Sequence, residues 1–203
     1  MKLYTTHPAP NPFRVKVFLA EKGIDLPIQN VDIMSGETRQ AEFLDKNSLG
    51  ELPVLELDDG MILTETIAIC RYLEQLYPEK PLLGENSLET AKIEMWTRRM
   101  EQQILAPLAQ IGLHTFPIFA DKIEQIPEYA ETQKRLAVKR WAWLNGELSD
   151  GRTYVVDDRF SVADITGMAA LMVCNFSKEE VPVELSHVKR WEAAVRSHKA
   201  WGG

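Results

Sequence analysis

Two short segments hold the residue types best able to do chemistry. Glu51-Leu52-Pro53-Val54-Leu55 reads as a proline at the head of a short apolar strand. Leu63-Thr64-Glu65-Thr66-Ile67-Ala68-Ile69 reads as an acid–hydroxyl pair opening a helix. Asp58-Asp59-Gly60 between them is a hairpin turn signal, so a backbone edge and a helix N-terminus are expected close in space. A cis Leu52–Pro53 bond would splay the Leu52 backbone off the sheet, leaving its N–H and C=O for an extended ligand, as an added strand does. The plain alternative is a proline that merely starts an edge strand. Thr66 also has two readings. It can cap the helix, or its hydroxyl and the free N–H groups at the positive helix end can hold a carboxylate, with Glu65 beside it for an ammonium group. Carboxylate and ammonium on one carbon are an amino-acid head group. With the Leu52 edge upstream, the pattern suggests a ligand with that head and a peptide body.

These segments need elements to position them. Lys2 to Thr5 is a strand candidate, and His7-Pro8-Ala9-Pro10-Asn11-Pro12 is expected to be irregular. A helix should begin at Phe13, with Val15, Phe18 and Leu19 on one face and Gly23 as its stop. Ile28 to Ile33 reads as a strand, Ala41 to Asp45 as a short helix, and Val54–Leu57 with Met61–Leu63 as a hairpin. An amphipathic helix follows over Ile67–Tyr77, ending before Pro78. Strand signals then fade. Helical patterns run over Glu89–Leu113, with a kink expected at Pro107, then over Pro127–Leu148, Val162–Cys174 and Val188–Arg196. Ser161-Val162-Ala163-Asp164 is a capping box in its aspartate form, flanked by Phe160 and Ile165 as a hydrophobic staple. The expected organisation is an α/β domain over residues 1–77, a linker at 78–86 containing Pro78 and Pro81, and an all-helical domain over 87–203.

Composition narrows the function. With 203 residues, 45% hydrophobic and 26% charged, the chain is ordinary globular material. A net charge of −7 argues against a nucleic-acid binder. No apolar run approaches the ~20 residues that span a bilayer, and the N-terminus lacks a signal-peptide core, so the expected location is the cytoplasm. The four histidines show no metal-ligand spacing, so no metal is expected, and no glycine-rich phosphate loop is present. Cys70 and Cys174 lie in apolar helical patterns and read as buried thiols rather than a disulfide or a nucleophile.

The order of these motifs resembles that of a cytosolic glutathione transferase over nearly the whole chain. Leu52-Pro53-Val54-Leu55 resembles the family's cis-proline segment, Glu65-Thr66 its glutamate–serine pair, and Phe160-Ser161-Val162-Ala163-Asp164 its capping box. Ala9-Pro10-Asn11-Pro12-Phe13-Arg14, followed by Phe18-Leu19-Ala20-Glu21-Lys22-Gly23, looks like a bacterial branch. The resemblance implies a thioredoxin-like N-terminal domain plus an all-α C-terminal domain. It also implies glutathione as co-substrate, held by Leu52, Pro53, Glu65 and Thr66. The reaction implied is attack of the glutathione thiolate on a small electrophile or a disulfide.

The family activates the sulfur with a tyrosine, serine or cysteine near the start of the first helix. Here the matching positions hold Ala9, Pro10 and Asn11. Some bacterial relatives also have asparagine there, and an Asn11 NH₂ group can donate to a thiolate without exchanging a proton. Asn11 is the expected catalytic residue, with helix capping as its alternative role and the Thr5 or Thr6 hydroxyl as alternative donors. Glu51 stands where relatives often carry Lys or Gln near the glycine carboxylate of glutathione; Thr38, Arg39 or Gln40 could compensate. The electrophile pocket is expected between the domains, with Trp96, Met100 and Gln103 as candidate walls, although such a stripe is also typical of core or dimer contacts. The resemblance further implies a homodimer and a detoxification role. The alternative is a protein-binding module of the same fold without turnover.

Overall fold

The structure, a computed structural model, describes residues 1–202. The chain divides into two compact units, with the boundary between Leu82 and Leu83, inside the stretch expected as linker.

In the first unit, strand β1 (Lys2–Thr5) leads through a proline-rich loop into helix α1 (Pro10–Lys22). This helix starts three residues before the expected Phe13. Pro10 and Pro12 do not block it, because N–H groups of a first helical turn have no partner within the helix in any case. It stops at Gly23, whose left-handed backbone (φ 69°) turns the chain and lets Ile24 N–H bond back to the Leu19 carbonyl at 2.9 Å. Strand β2 is only Ile28–Asn30, shorter than the expected Ile28–Ile33, because the chain turns into a 3₁₀ stretch at Glu37–Arg39. Helix α2 (Ala41–Leu44), strands β3 (Val54–Glu56) and β4 (Ile62–Leu63), and helix α3 (Thr66–Leu76) complete the unit.

The sheet order is β2-β1-β3-β4, with β2 parallel to β1 and the hairpin strands antiparallel. Side chains alternate between its faces. Tyr4 and Val54 pack with Phe43, Val31 and Leu52. The alternate positions Leu3 and Leu55 are fully buried too, as are Val15, Phe18 and Ile69 of the packed pair α1 and α3. An ion pair made by a buried lysine ties this layer together. Lys22 Nζ donates to Glu74 at 2.5 Å and to the Glu79 carbonyl at 2.9 Å, while Glu74 also accepts from Leu82 N–H at 2.7 Å.

The second unit is helical. Asn86 caps helix α4 (Ser87–Arg99), accepting from Glu89 N–H at 3.0 Å. The helix continues as a π-helical stretch, Met100–Leu105, into α5 (Ala106–Thr115). The irregularity expected at Pro107 therefore lies just ahead of it. A proline at 107 cannot donate to the Gln103 carbonyl one turn back, and the ladder widens through the preceding residues. Helices α6 (Pro127–Glu147), α7 (Val162–Ser177) and α8 (Ser186–Arg196) follow, with Pro127 in the first turn of α6 as expected.

Asp164 organises this unit. The capping box is present, and the fully buried carboxylate also accepts from Val155 N–H (3.0 Å) and from the Trp191 indole N–H (2.9 Å). Burial pushes its carboxyl up to about 6 against the opposing pull of these hydrogen bonds. The helices approach closely at Gly167, where a Cβ would lie 2.4 Å from the Trp191 ring and 2.7 Å from Met100 Cε.

Candidate active site

The register of the sheet gathers the chemically able residues of the first unit. β1 ends at Thr5, and parallel β2 ends beside it at Asn30. Antiparallel β3 begins at Val54, opposite Tyr4, and β4 ends at Leu63, opposite Leu55. The loop into α1, the segment before α2, Leu52-Pro53 and Thr64-Glu65-Thr66 therefore all lie at one end of the sheet.

The Leu52–Pro53 bond is cis. The Leu52 side chain is held in the core beside Phe43, while its N–H and C=O make no backbone hydrogen bond among the described residues. The strand begins only at Val54. Next to it, Glu65 occupies a backbone conformation rare for a residue with a side chain (φ 66°, ψ 117°). Such outliers persist where the surroundings enforce them and cluster at ligand sites. Glu65, and not Thr66, is the N-cap of α3; its side chain is exposed and makes no cap hydrogen bond. Thr66, expected as a possible cap, is the buried first residue of the helix. Glu65 C=O accepts from Ile69 N–H at 3.0 Å, leaving the N–H groups of Thr66, Ile67 and Ala68 as the uncapped first turn.

Helix α1 presents a different terminus. Its N-cap is Ala9, without a side-chain cap, and Phe13 N–H bonds the Ala9 carbonyl at 3.0 Å. Pro10 and Pro12 have no N–H. Within the first turn, Pro10 to Pro12, the backbone amide of Asn11 is thus the one N–H group present. Asn11 lies inside the first turn, so it does not serve as the cap considered from sequence. Its side chain is exposed, and its Oδ1 accepts from Arg14 Nη1 at 3.2 Å. Arg14 is 1% exposed. This link was missed in the sequence, although Asn-x-x-Arg spacing on a helix was its signal.

The alternative donors fare worse. Thr5 is fully buried, with its hydroxyl closed off from any ligand. Thr6 is half-buried. The Tyr4 hydroxyl donates to Glu56 at 2.5 Å, and with Lys46 at 3.2 Å it holds that carboxyl below its ordinary range. Both cysteines are buried free thiols, each pushed up to about 12 by burial, which suits them to packing and not to attack.

Glu51 is exposed, and its backbone carbonyl accepts from Asn47 Nδ2 at 2.8 Å. The Arg39 guanidinium donates to the Leu49 carbonyl at 2.8 Å and lies against Gly50, which precedes Glu51. Two of the pocket candidates in the second unit are buried. Met100 is fully buried against the Gly167 crossing, and Trp96 is 6% exposed, stacked on Trp143 at 5.9 Å. Both belong to the helical core, because the face of a long helix that packs inward also carries its large apolar side chains. Gln103, on the π-helical stretch, keeps partial exposure. Among the described residues no group of side chains could hold a metal ion, and no helix is long and apolar enough to cross a membrane.

Comparison with known proteins agrees with this geometry. Residues 1–75 match the glutathione S-transferase N-terminal domain, and residues 108–199 match the C-terminal domain. Glutathione S-transferase 2 of Saccharomyces cerevisiae is 35% identical over 195 residues, covering 94% of this chain and 83% of that protein. A maleylacetoacetate isomerase of Pseudomonas aeruginosa is 29% identical over 174 residues, covering 83% and 76%. The crystal structure of a glutathione S-transferase domain-containing protein of Marinobacter aquaeolei superposes with a TM-score of 0.93 at 36% identity, covering 99% of this chain and 100% of that one. With both domains matched and relatives of this similarity spanning almost its full length, the chain belongs to the glutathione transferase family and has the activity of a glutathione transferase.

Proposed function

We propose that glutathione lies across the assembled end of the sheet with its parts read by separate segments. The γ-glutamyl ammonium pairs with Glu65. Its carboxylate takes the Thr66 hydroxyl and the N–H groups of the first turn of α3, at the positive end of that helix. The cysteinyl residue adds as a short strand to the Leu52 N–H and C=O, beside Pro53. Arg39 offsets Glu51 near the glycine carboxylate. The sulfur lies at the N-terminus of α1, against Asn11. The observation that carries the reading is the convergence of these four segments at one sheet end, with the Leu52 backbone groups outside the backbone hydrogen-bond network of the described residues and the first turn of α3 uncapped.

The catalytic task is to keep the sulfur ionised. A free thiol has a pKa of about 8.5, and lowering it by about two units requires roughly 2.7 kcal/mol of preference for the thiolate. The Asn11 backbone N–H, its side-chain NH₂ and the helix dipole provide donors that favour the anion and accept no proton from it. The thiolate then attacks an electrophilic carbon, forming a C–S bond as a leaving group departs with its electron pair or as a conjugated double bond takes up the pair and then a proton from water, or it attacks a disulfide, forming a mixed disulfide and releasing the other sulfur as a thiolate. Asparagine in place of cysteine favours attack by glutathione itself. The second substrate is a small electrophile or disulfide, and Gln103 is the remaining candidate for its pocket. Two buried, reduced cysteines fit a reducing cytoplasm, and the family resemblance supports a homodimer and a detoxification role.

Retention on immobilised glutathione followed by a thiol-conjugation assay tests this. Failure to bind glutathione at millimolar concentration removes the reading. If binding holds, Asn11→Ala is expected to lower kcat by about tenfold, the loss of one hydrogen bond to a charged atom, with little change in affinity. The opposite pattern would leave Asn11 a structural member of the first turn.

A further inference from the structure

We propose that Arg14 is a positioning residue for the thiolate: it locks the Asn11 amide so that its NH₂ group, and not its carbonyl oxygen, faces the ligand. This rests on the reading of Asn11 as the thiolate donor. A guanidinium has donors and no acceptor, so the atom of Asn11 that meets Arg14 must be Oδ1. The contact is 3.2 Å. Arg14 is buried, whereas Asn11 is exposed. The inward end of the amide is therefore its oxygen and the outward end its nitrogen. Spacing of three residues on one helix puts the two side chains on a common face, so the lock is built into α1 itself.

The lock matters because a terminal amide torsion is broad and roughly two-fold. An unanchored Asn11 would present its oxygen to the sulfur in a large share of orientations, and that oxygen repels an anion. Anchored, the residue offers two converging donors, Nδ2 and its own backbone N–H, at a helix end where the flanking prolines supply none. The charge of Arg14 acts in the same direction. It also opposes the burial that raises the neighbouring Cys70 thiol, so its field reaches beyond α1.

The ultraviolet absorbance of bound glutathione thiolate, titrated against pH on the full chain, reads the effect directly. Asn11→Ala should raise the bound thiol pKa by about one unit. Arg14→Met should raise it by a similar amount in the parent chain and by much less in the Asn11→Ala background. A full Arg14→Met shift in both backgrounds would show a bare charge effect and overturn the positioning role, as would no shift in either. Arg14 is buried, so Asn11→Asp supplies a second arm if Arg14→Met does not fold. That variant keeps a partner for Arg14 but turns an oxygen outward, and it should raise the thiol pKa more than Asn11→Ala does; an equal or smaller rise overturns the proposal. If Asn11→Ala leaves the pKa unmoved, the Asn11 reading itself falls, and this proposal with it. If it shifts the pKa while the Arg14 and Asn11→Asp results fail, only the role of Arg14 is lost.

Discussion

Removing the Asp164 carboxylate should destabilise the helical unit by at least about 3 kcal/mol. In the intact chain its Oδ1 accepts from Val155 N–H and the Trp191 indole, and its Oδ2 from Ser161 N–H at 3.1 Å and Ser161 Oγ at 3.2 Å. Asp164→Ala strands three buried N–H donors. Each costs about 1–3 kcal/mol when left without an acceptor, so the low end alone is about 3 kcal/mol. Urea unfolding followed by circular dichroism and tryptophan fluorescence measures this as a lowered midpoint. The titration of Asp164 adds a sign. Its carboxyl is raised from 3.8 to about 6 by burial, so between those values the folded state holds a proton that the unfolded state has released. Stability from this group therefore falls as pH rises through that window and is gained on acidification. Asp164→Asn removes the ionisation and with it the slope. The advantage of the parent chain over Asp164→Asn should thus grow by about 1 kcal/mol between neutral pH and about pH 5. A gap that narrows on acidification, or an Asp164→Ala loss below about 1 kcal/mol, would refute this account of the buried carboxylate.

Two further outcomes concern the first unit. Lys22→Met should cost about 1–3 kcal/mol in chemical denaturation, because it removes the ammonium that donates to Glu74 and to the Glu79 carbonyl. A loss below about 1 kcal/mol would mean that water reaches Glu74. Gly50→Ala should weaken glutathione binding, measured by calorimetry, without changing the bound thiol pKa. Its Cβ would sit 2.6 Å from Arg39 Nη1 and from the Thr38 carbonyl at a backbone φ of +63°, displacing the cation beside Glu51.

Much of the fold was legible in the sequence. Gly23 marked the end of α1, Asp-Asp-Gly the hairpin, and Ser-Val-Ala-Asp the start of α7, because each is a local device whose residues do the structural work themselves. Pro10 and Pro12 were read as breakers, yet they open a helix; the rule against proline fails in the one turn where no N–H is needed. For Met100 and Trp96 the sequence left core and pocket both open, because periodicity gives the apolar face of a helix but not what that face meets. The site was half legible. Leu52-Pro53 and Glu65-Thr66 are contiguous motifs. Glu65 as the true cap, its unusual backbone, and the Arg14 anchor on Asn11 depend on geometry that one-dimensional spacing only hints at.

The two helix ends in the first unit differ in denticity. α3 offers three successive amides, which suits a carboxylate with two oxygens to satisfy. α1, stripped of donors on either side of Asn11 by its prolines, offers one backbone amide, which suits an anion whose charge sits on a single atom. A phosphate or carboxylate arriving at α1 would find most of its oxygens unanswered, whereas a sulfur would not. Two helices of one small domain thus differ in the number of free amides they present, and proline, usually valued for stiffness, acts here by subtraction.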